Sequence, residues 1–439
     1  MSQELFAILM FVGLLIGLFM GHPLAFVLGG LAVIFALIGP GISVFGIIIS
    51  RIFGLMDNYV LIAVPLFILM ARLLSDSGVS ENMFFALRQM LRSVRGGLTL
   101  AVIGVSVLLA ASTGIIGASM TVMGVLALPA MVKYGYQKEM SCGAICAGGS
   151  LGILIPPSIM LVIMGSYAGL SVGKLFAAAL IPGLLLGLTY ALYAAIRSYI
   201  NPSLGPPMSA AEREEVADGQ LLKMVVTLVI PPLLLILGVL GSIFAGIATA
   251  TEAASIGAFL SLILVIVYGK FSWSGLYTSV LETGKVTAMV LFIAVGATSF
   301  TGVFVAGGGI DVMGHALGGL GLERWGTFVV MMLIVFVLGM FLDWLGIVLI
   351  SFPLFLPMAA GFGFDKLWFV LMIAIVLQTS FLTPPFGYAL FYLKGVAPEG
   401  VETSHIYRGV VPFIALILAV AALCAVEPDI VLWLPNRLF

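Results

Sequence analysis

Charged residues are scarce in this chain of 439 residues: Asp, Glu, Lys and Arg together make up 8%, against 62% hydrophobic residues. A soluble protein of this length has no interior large enough for so much apolar surface, and the mean hydropathy of +1.28 is that of a protein embedded in lipid. The formal net charge of −1 gives no electrostatic basis for binding nucleic acid. The composition therefore predicts an integral membrane protein.

Cysteine and histidine are also rare, with three of each: Cys142, Cys146, Cys424, His22, His315 and His405. The cysteines lie in apolar stretches, which favours small buried residues over a disulfide framework or a metal site. The histidines lack metal-site spacing, and no Ser/His/Asp set or Walker-type lysine loop is present. We therefore predict that the protein is not an enzyme, and that any active transport is driven by an ion gradient.

What the chain does contain is an internal repeat at a constant offset of 228 residues. Leu128, Pro129, Pro156 and Pro157 recur as Leu356, Pro357, Pro384 and Pro385. In an apolar chain, proline-interrupted segments at matching places in two halves indicate the binding site of a transporter.

Apolar segments near the length that crosses a bilayer as a helix, about 20 residues, predict ten crossings. They cover 4–20, 23–39, 58–75, 139–170, 174–199, 221–243, 246–268, 285–306, 365–396 and 407–427. Two more apolar segments, 98–131 and 325–358, are too long for one crossing and too short for two separate ones. We predict that each is a re-entrant hairpin of two half-helices. Shorter helices at the membrane surface are predicted at 43–56, 82–95 and 271–284.

The repeat predicts an all-α fold whose two halves are inverted. The offset spans five crossings and one hairpin, so the second repeat (221–439) should be upside down relative to the first (1–199). A polar cytoplasmic linker, 200–220, joins them. With both termini in the periplasm, Lys and Arg number 13 on the inner side and 5 on the outer side, as the positive-inside rule requires. Hairpin one should open from the cytoplasm and hairpin two from the periplasm.

The double prolines interrupt the helices predicted at 139–170 and 365–396. Each pair removes two amide donors and clashes with the preceding turn, so nearby carbonyls lose their partners. A bound cation could replace those partners, with side-chain hydroxyls completing its shell; proline kinks satisfied by neighbouring helices or water are the alternative. The oxygens in question belong to Ser150, Gly152, Ile155, Ser380 and Thr383.

Small and polar residues mark the middle of hairpin one. Ser112, Thr113 and Gly114 would direct half-helix N-termini inward, where the positive ends of the helix dipoles suit a carboxylate. Close helix packing through Gly114 and Gly117 is the alternative.

Two acidic residues lie within apolar segments. Asp343, inside hairpin two, indicates cation binding, a half-helix cap or an interior hydrogen bond. Glu252 follows Thr249 near a helix start, where we expect it to complete a helix cap.

Together these motifs resemble the large membrane subunit of tripartite ATP-independent periplasmic (TRAP) transporters. The segments that carry the resemblance are 110–158, 249–254, 338–343 and 382–387. The resemblance implies a sodium-driven importer of small carboxylates (C4-dicarboxylates, keto acids, sugar acids or similar) in the bacterial inner membrane. It also implies two partners, a small four-helix membrane subunit and a periplasmic binding protein. An elevator mechanism is implied as well, in which both hairpins and both broken helices form a transport domain that slides against a scaffold.

The resemblance also implies where ions and substrate bind. Sodium site 1 would comprise Ser112, Thr113, Gly152, Ile155 and Pro156, and sodium site 2 Gly339, Asp343, Ser380, Thr383 and Pro384. We further predict substrate contacts at Gly114, Ser119, Ser150, Ser158 and Thr379.

The sequence departs from the family pattern at both hairpins. Ile115 and Ile116 follow Gly114 at a tip that is usually richer in serine, and Trp344 replaces the more usual proline after Asp343. Both changes would make the substrate pocket more apolar. A stand-alone sodium/carboxylate symporter is the nearest alternative function, followed by a passive channel or a non-transporting assembly protein.

Overall fold

The computed structural model describes residues 2–113, 116–208, 218–319, 321–385 and 387–439, and every regular element within them is helical. The helices of the first half are α1 (Gln3–Phe19), α2 (Leu24–Ile38), α3 (Val44–Met56), α4 (Ala63–Asp76), α5 (Val79–Met90), α6 (Gly97–Thr113), α7 (Ile116–Lys133), α8 (Lys138–Ser150), α9 (Ile159–Ala168) and α10 (Val172–Ile200). A 3-10 turn, Tyr59–Ile62, leads into α4.

The second half begins with α11 (Asp218–Met224), which continues through a π-helical turn, Val225–Val229, into α12. The helices that follow are α12 (Ile230–Phe244), α13 (Ala250–Val267), α14 (Trp273–Ala306), α15 (Gly309–Gly318), α16 (Arg324–Gly339), α17 (Trp344–Gly361), α18 (Lys366–Ser380), α19 (Tyr388–Val396), α20 (Thr403–Val426) and α21 (Asp429–Leu438).

Many of these helices are suited to a bilayer. Among the described residues, seven are long and apolar enough to cross it: Tyr59–Asp76, Val172–Ile200, Gln220–Phe244, Ala250–Val267, Trp273–Ala306, Trp344–Gly361 and Thr403–Val426. Shorter apolar helices, including α1 and α2, accompany them. Large apolar side chains such as Leu188 and Phe259 are more than half exposed on these helices, as expected of surfaces that face lipid.

The second half of the chain contains one helix where two were expected. Segments 271–284 and 285–306 were predicted as an interfacial helix and a crossing, but they form the single 34-residue helix α14. A salt bridge of 2.8 Å from Lys285 Nζ to Glu282 Oε1 spans the expected boundary. Nothing in the local sequence stops the helix there, because Gly284 alone costs only about 1 kcal/mol.

Other surface helices differ in detail from the prediction. Helix α3 matches the segment predicted at 43–56, whereas α5 ends at Met90, so Arg92 and Arg95 lie beyond it. The cap at Glu252 is confirmed: the backbone N–H of Thr249 donates to Glu252 Oε2 (2.8 Å), and the Glu252 N–H donates to Thr249 Oγ1 (3.3 Å). The cysteines are free and buried, as predicted.

Helix boundaries recur at the repeat offset around both double prolines. Helices α7 and α17 begin at 116 and 344 and end at 133 and 361, while α8 and α18 begin at 138 and 366. After α8 and α18 the chain leaves the α-helical conformation, and α-helix resumes at Ile159 and Tyr388. The Pro156–Pro157 and Pro384–Pro385 peptide bonds within these breaks are both cis.

The start of the 200–220 linker is hydrogen-bonded to the residues that precede α6 and follow α7. The Gly96 N–H donates to the Gly205 carbonyl (2.8 Å), and the Gln137 N–H donates to the Leu204 carbonyl (3.0 Å). Residues 209–217 of this linker lie outside the described residues.

Candidate substrate cavity and ion sites

A cavity of about 560 Å³ lies where α7, α9, α17 and α19 face α2, α4 and α14. On one side its lining comes from the helix starts and breaks of both repeats: Gly117, Ile153, Ile159, Asp343, Trp344, Leu345, Tyr388 and Tyr392. The other side is formed by Pro23, Leu24, Ala25, Phe26, Ile68, Val286, Met289, Val290, Phe292 and Ile293. The cavity thus joins elements that are far apart in the sequence.

Five helix N-termini converge on this cavity. Helices α2, α7, α9, α17 and α19 each place a residue from their first two positions in the lining: Leu24, Gly117, Ile159, Trp344 and Tyr388. The first N–H groups of a helix have no partner within it, and the helix dipole is positive at that end. Such N-termini bind anions readily. The arrangement is therefore suited to a carboxylate.

Asp343 is the only charged side chain among the described lining residues. It precedes α17 in an extended conformation (φ −67°, ψ 150°), and its carbonyl accepts a hydrogen bond from the Ile347 N–H (3.2 Å). Tyr388 and Tyr392 are the polar aromatic residues that share the cavity with it. An anion that enters here meets a second negative charge, which makes a cation favourable at the same place.

Part of the predicted sodium site 2 is brought together by close packing of α16 on α18. A Cβ on Gly339 would overlap Ser380 Oγ, so only glycine fits there without a shift. Ser380 Oγ is buried and has no hydrogen-bond partner among the described residues. Thr383 Oγ1 donates to the Thr379 carbonyl (2.7 Å), which leaves its lone pairs free. Pro384, in contrast, is exposed.

The described residues of the predicted sodium site 1 are fully enclosed. Gly152 belongs to a 3-10 turn, Leu151–Ile153, while Ile155 and Pro156 follow in non-helical backbone, and all three are buried. Ser112 and Thr113 end α6, but their side chains lie outside the described residues. Site 1 therefore stays a prediction.

Of the predicted substrate contacts, the three whose side chains the structure describes, Ser150, Ser158 and Thr379, are not among the lining residues. Ser150 and Thr379 are buried and donate to the carbonyls of Ala147 (2.9 Å) and Val376 (2.6 Å). Ser158 donates to the Ile153 carbonyl and caps α9. Gly114 and the side chain of Ser119 lie outside the described residues.

Sequence reasoning missed the residues that form most of the cavity wall. Tyr388 could have been found, because it is the first helical residue after the second double proline. Met289 and Val290 carry no such signal, since they are ordinary apolar residues in the middle of a long helix.

Comparison with known proteins places these features in a family. The family model described as "Tripartite ATP-independent periplasmic transporter, DctM component" matches residues 9–430. A C4-dicarboxylate TRAP transporter large permease from Pseudomonas aeruginosa is 30% identical, over 88% of this chain and 89% of its own length. An isethionate TRAP transporter permease from Oleidesulfovibrio alaskensis is 31% identical over 94% of this chain, which spans 64% of that longer relative.

Structural similarity agrees with this assignment at the level of the fold. The crystal structure of the YdaH transporter from Alcanivorax borkumensis has a TM-score of 0.63 and 14% sequence identity, with 92% of this chain and 97% of that chain covered. The relatives are named as transporter permeases, which confirms the prediction that the chain is not an enzyme. The match over nearly the whole length shows that this multi-pass membrane protein belongs to the family of TRAP transporter large permease (DctM) subunits.

Proposed function

We propose that the chain is the transport subunit of a sodium-driven importer of small carboxylates in the bacterial inner membrane. The observation that carries the proposal is the convergence of five helix N-termini on a cavity whose one charged side chain, among the described lining residues, is Asp343. The N-termini favour the carboxylate, whereas Asp343 opposes it.

The repulsion between Asp343 and the substrate carboxylate provides a physical reason why substrate binding is coupled to sodium binding. Two like charges about 4 Å apart repel by about 4 kcal/mol at an effective dielectric constant near 20. That free energy corresponds to a loss of roughly a thousandfold in affinity. A sodium ion beside Asp343 removes the repulsion, so substrate and ion bind together or hardly at all.

We assign sodium site 2 to Gly339, Asp343, Ser380, Thr383 and Pro384. The buried, unpartnered Ser380 Oγ and the close approach of Gly339 support the assignment. Hydroxyl, carboxylate and carbonyl oxygens are the donors that a hard cation prefers. Site 1, at Ser112, Thr113, Gly152, Ile155 and Pro156, is proposed by repeat symmetry.

We also propose that transport follows an elevator mechanism within an inverted repeat. The cavity lies between the half-helices and an opposing wall of α2, α4 and α14. A transport domain of α6–α9 and α16–α19 that slid along this wall would expose the cavity to each side of the membrane in turn. From the distribution of Lys and Arg, we propose that both termini lie in the periplasm.

Two partner proteins belong to the proposal. The family description contains the words "tripartite" and "periplasmic", and "large permease" implies a smaller one. The longer isethionate relative, named DctMQ, supports a small membrane subunit, since this chain spans only 64% of it. The third component would be a periplasmic binding protein that delivers the acid.

Reconstitution in proteoliposomes tests the proposal. The chain, its small membrane subunit and its binding protein are combined, and uptake of radiolabelled acids is measured under an inward sodium gradient or an equal potassium gradient. We expect uptake only with sodium and with all three components. Robust sodium-driven uptake by the chain alone would support a stand-alone symporter instead, and uptake that ignores the sodium gradient would support a passive channel.

A further inference from the structure

The part of the cavity wall that α4 and α14 form is hydrocarbon. Ile68 of α4 and Val286, Met289, Val290, Phe292 and Ile293 of α14 supply it. All six residues lie within helices, where backbone N–H and C=O groups bond to each other along the helix. This part of the wall therefore offers no hydrogen-bond partner and no counter-charge to a ligand, unlike the N-terminus of α2 beside it.

The side of the cavity opposite α14 contains all the polar side chains of the described lining residues. Apart from Asp343, Trp344 and the two tyrosines, Tyr388 and Tyr392, the described lining residues are apolar or glycine, and no Lys, Arg or His is among them. The neighbouring segment 110–119, part of which lies outside the described residues, has no charged residue in its sequence. A carboxylate can be satisfied at the helix N-termini, but one placed against the α14 side chains has neither a cation nor a free N–H group to meet.

We propose that the transported acid is a monocarboxylate with an apolar tail, and that the tail packs on the α14 wall. This inference depends on the proposed function, because it specifies the substrate class of the same cavity. A second carboxylate or a row of hydroxyls against the α14 side chains would be buried without partners, which strongly disfavours binding. The branched or aromatic tail of a monocarboxylate would gain free energy from the same burial.

A matched pair of acids tests the proposal on the full chain in lipid nanodiscs. The acids 4-methyl-2-oxopentanoate and 2-oxoglutarate have the same 2-oxo acid head and nearly the same length, but one ends in methyl groups and the other in a carboxylate. Gluconate serves as the polyhydroxylated probe. Dissociation constants are measured from the rise in thermal unfolding temperature in sodium chloride, with choline chloride as the control.

We expect 4-methyl-2-oxopentanoate to bind at least about tenfold more tightly than 2-oxoglutarate or gluconate, and only in sodium. Sodium-dependent binding that is equal among the acids, or stronger for 2-oxoglutarate or gluconate, would overturn this inference and leave the proposed function standing. Absence of any sodium-dependent binding would overturn both.

A cavity variant makes the test independent of folding. Met289→Lys places a cation on a half-exposed wall position, and Leu281→Lys makes the same charge change on the same helix outside the cavity. We expect M289K to shift the preference towards 2-oxoglutarate by at least about tenfold, while L281K leaves it unchanged. Because each preference is a ratio within one variant, reduced stability cannot imitate the result. An unchanged ratio in M289K would show that the tail does not reach α14 and would overturn the inference.

Discussion

At the scale of single residues, Ser380 combines a buried hydroxyl that has no partner among the described residues with a position at the end of α18, next to the second helix break. A buried polar atom without a partner costs about 1–3 kcal/mol. Such an atom usually has a partner that the protein atoms alone do not show, such as a water or an ion. A sodium ion between Ser380 and Asp343 would be that partner. Thr383, one turn further along, completes the set of hydroxyls at the second break.

Removal of both hydroxyls, in Ser380→Ala combined with Thr383→Ala, tests this role. We expect the sodium concentration for half-maximal uptake to rise at least about tenfold, equivalent to about 1.4 kcal/mol of lost ion binding. Ser351→Ala is the control, because Ser351 Oγ is also buried and unpartnered but lies within α17. Unchanged sodium activation in the double variant would argue against the second ion site.

Gly339 offers an independent test from the other side of the same site. In Gly339→Ala the new methyl group must displace Ser380, and overpacking of this kind typically costs about 1–3 kcal/mol. We expect weaker sodium activation and a lower unfolding temperature. Gly361→Ala is the matched control, since a Cβ at Gly361 meets nothing within 4 Å. Equal behaviour of the two variants would contradict the packing described here.

At the scale of helices, sequence reasoning located most elements but not all of their joins. Repeated prolines identified both breaks, because proline removes a donor wherever it occurs. Helix α14 was divided wrongly, because hydropathy alone does not mark where a helix leaves the membrane. Its 34 residues span about 50 Å, more than the roughly 30 Å of a hydrocarbon core. The short helices α15 and α21 were missed for a related reason, since neither has the length of a crossing.

The cavity shows a different limit of sequence reasoning. The polar side could be located from sequence motifs, namely the centres of the predicted hairpins, Asp343 and the double prolines. The apolar side, which includes Val290 of α14, was not predicted. In the sequence, Val290 is an apolar residue like those of the same helix that face lipid. Only the three-dimensional arrangement separates the two classes.

The first break has a cap that can be tested at the helix scale. Ser158 Oγ accepts from the Leu161 N–H (3.3 Å) at the start of α9, and the residue is fully buried. We expect Ser158→Ala to lower the free energy of unfolding by about 1–2 kcal/mol and the unfolding temperature by about 2 °C or more. Ser171→Ala removes a comparable cap from α10, where the hydrogen bond is exposed, so its effect should be smaller. The unfolding temperatures are measured by scanning fluorimetry. A larger decrease in Ser171→Ala than in Ser158→Ala would contradict a structural role for the buried cap.

At the scale of the whole molecule, the proposed inversion of the two repeats would allow one cavity to serve both faces of the membrane. Lys138 and Lys366 occupy equivalent positions, each as the first residue of a broken helix. If the repeats are inverted, these residues lie on opposite sides of the bilayer, with Lys138 in the cytoplasm and Lys366 in the periplasm.

Single cysteines at these two positions test the orientation directly. The native cysteines are all buried, so background labelling by a membrane-impermeant maleimide should be low. We expect Lys366→Cys to react in intact spheroplasts and Lys138→Cys to react in inside-out vesicles, each with at least a tenfold preference for its own side. Labelling of both positions from one face would mean that the repeats are parallel. The cavity would then lack the symmetry that alternating access requires, and the elevator mechanism would have to be abandoned.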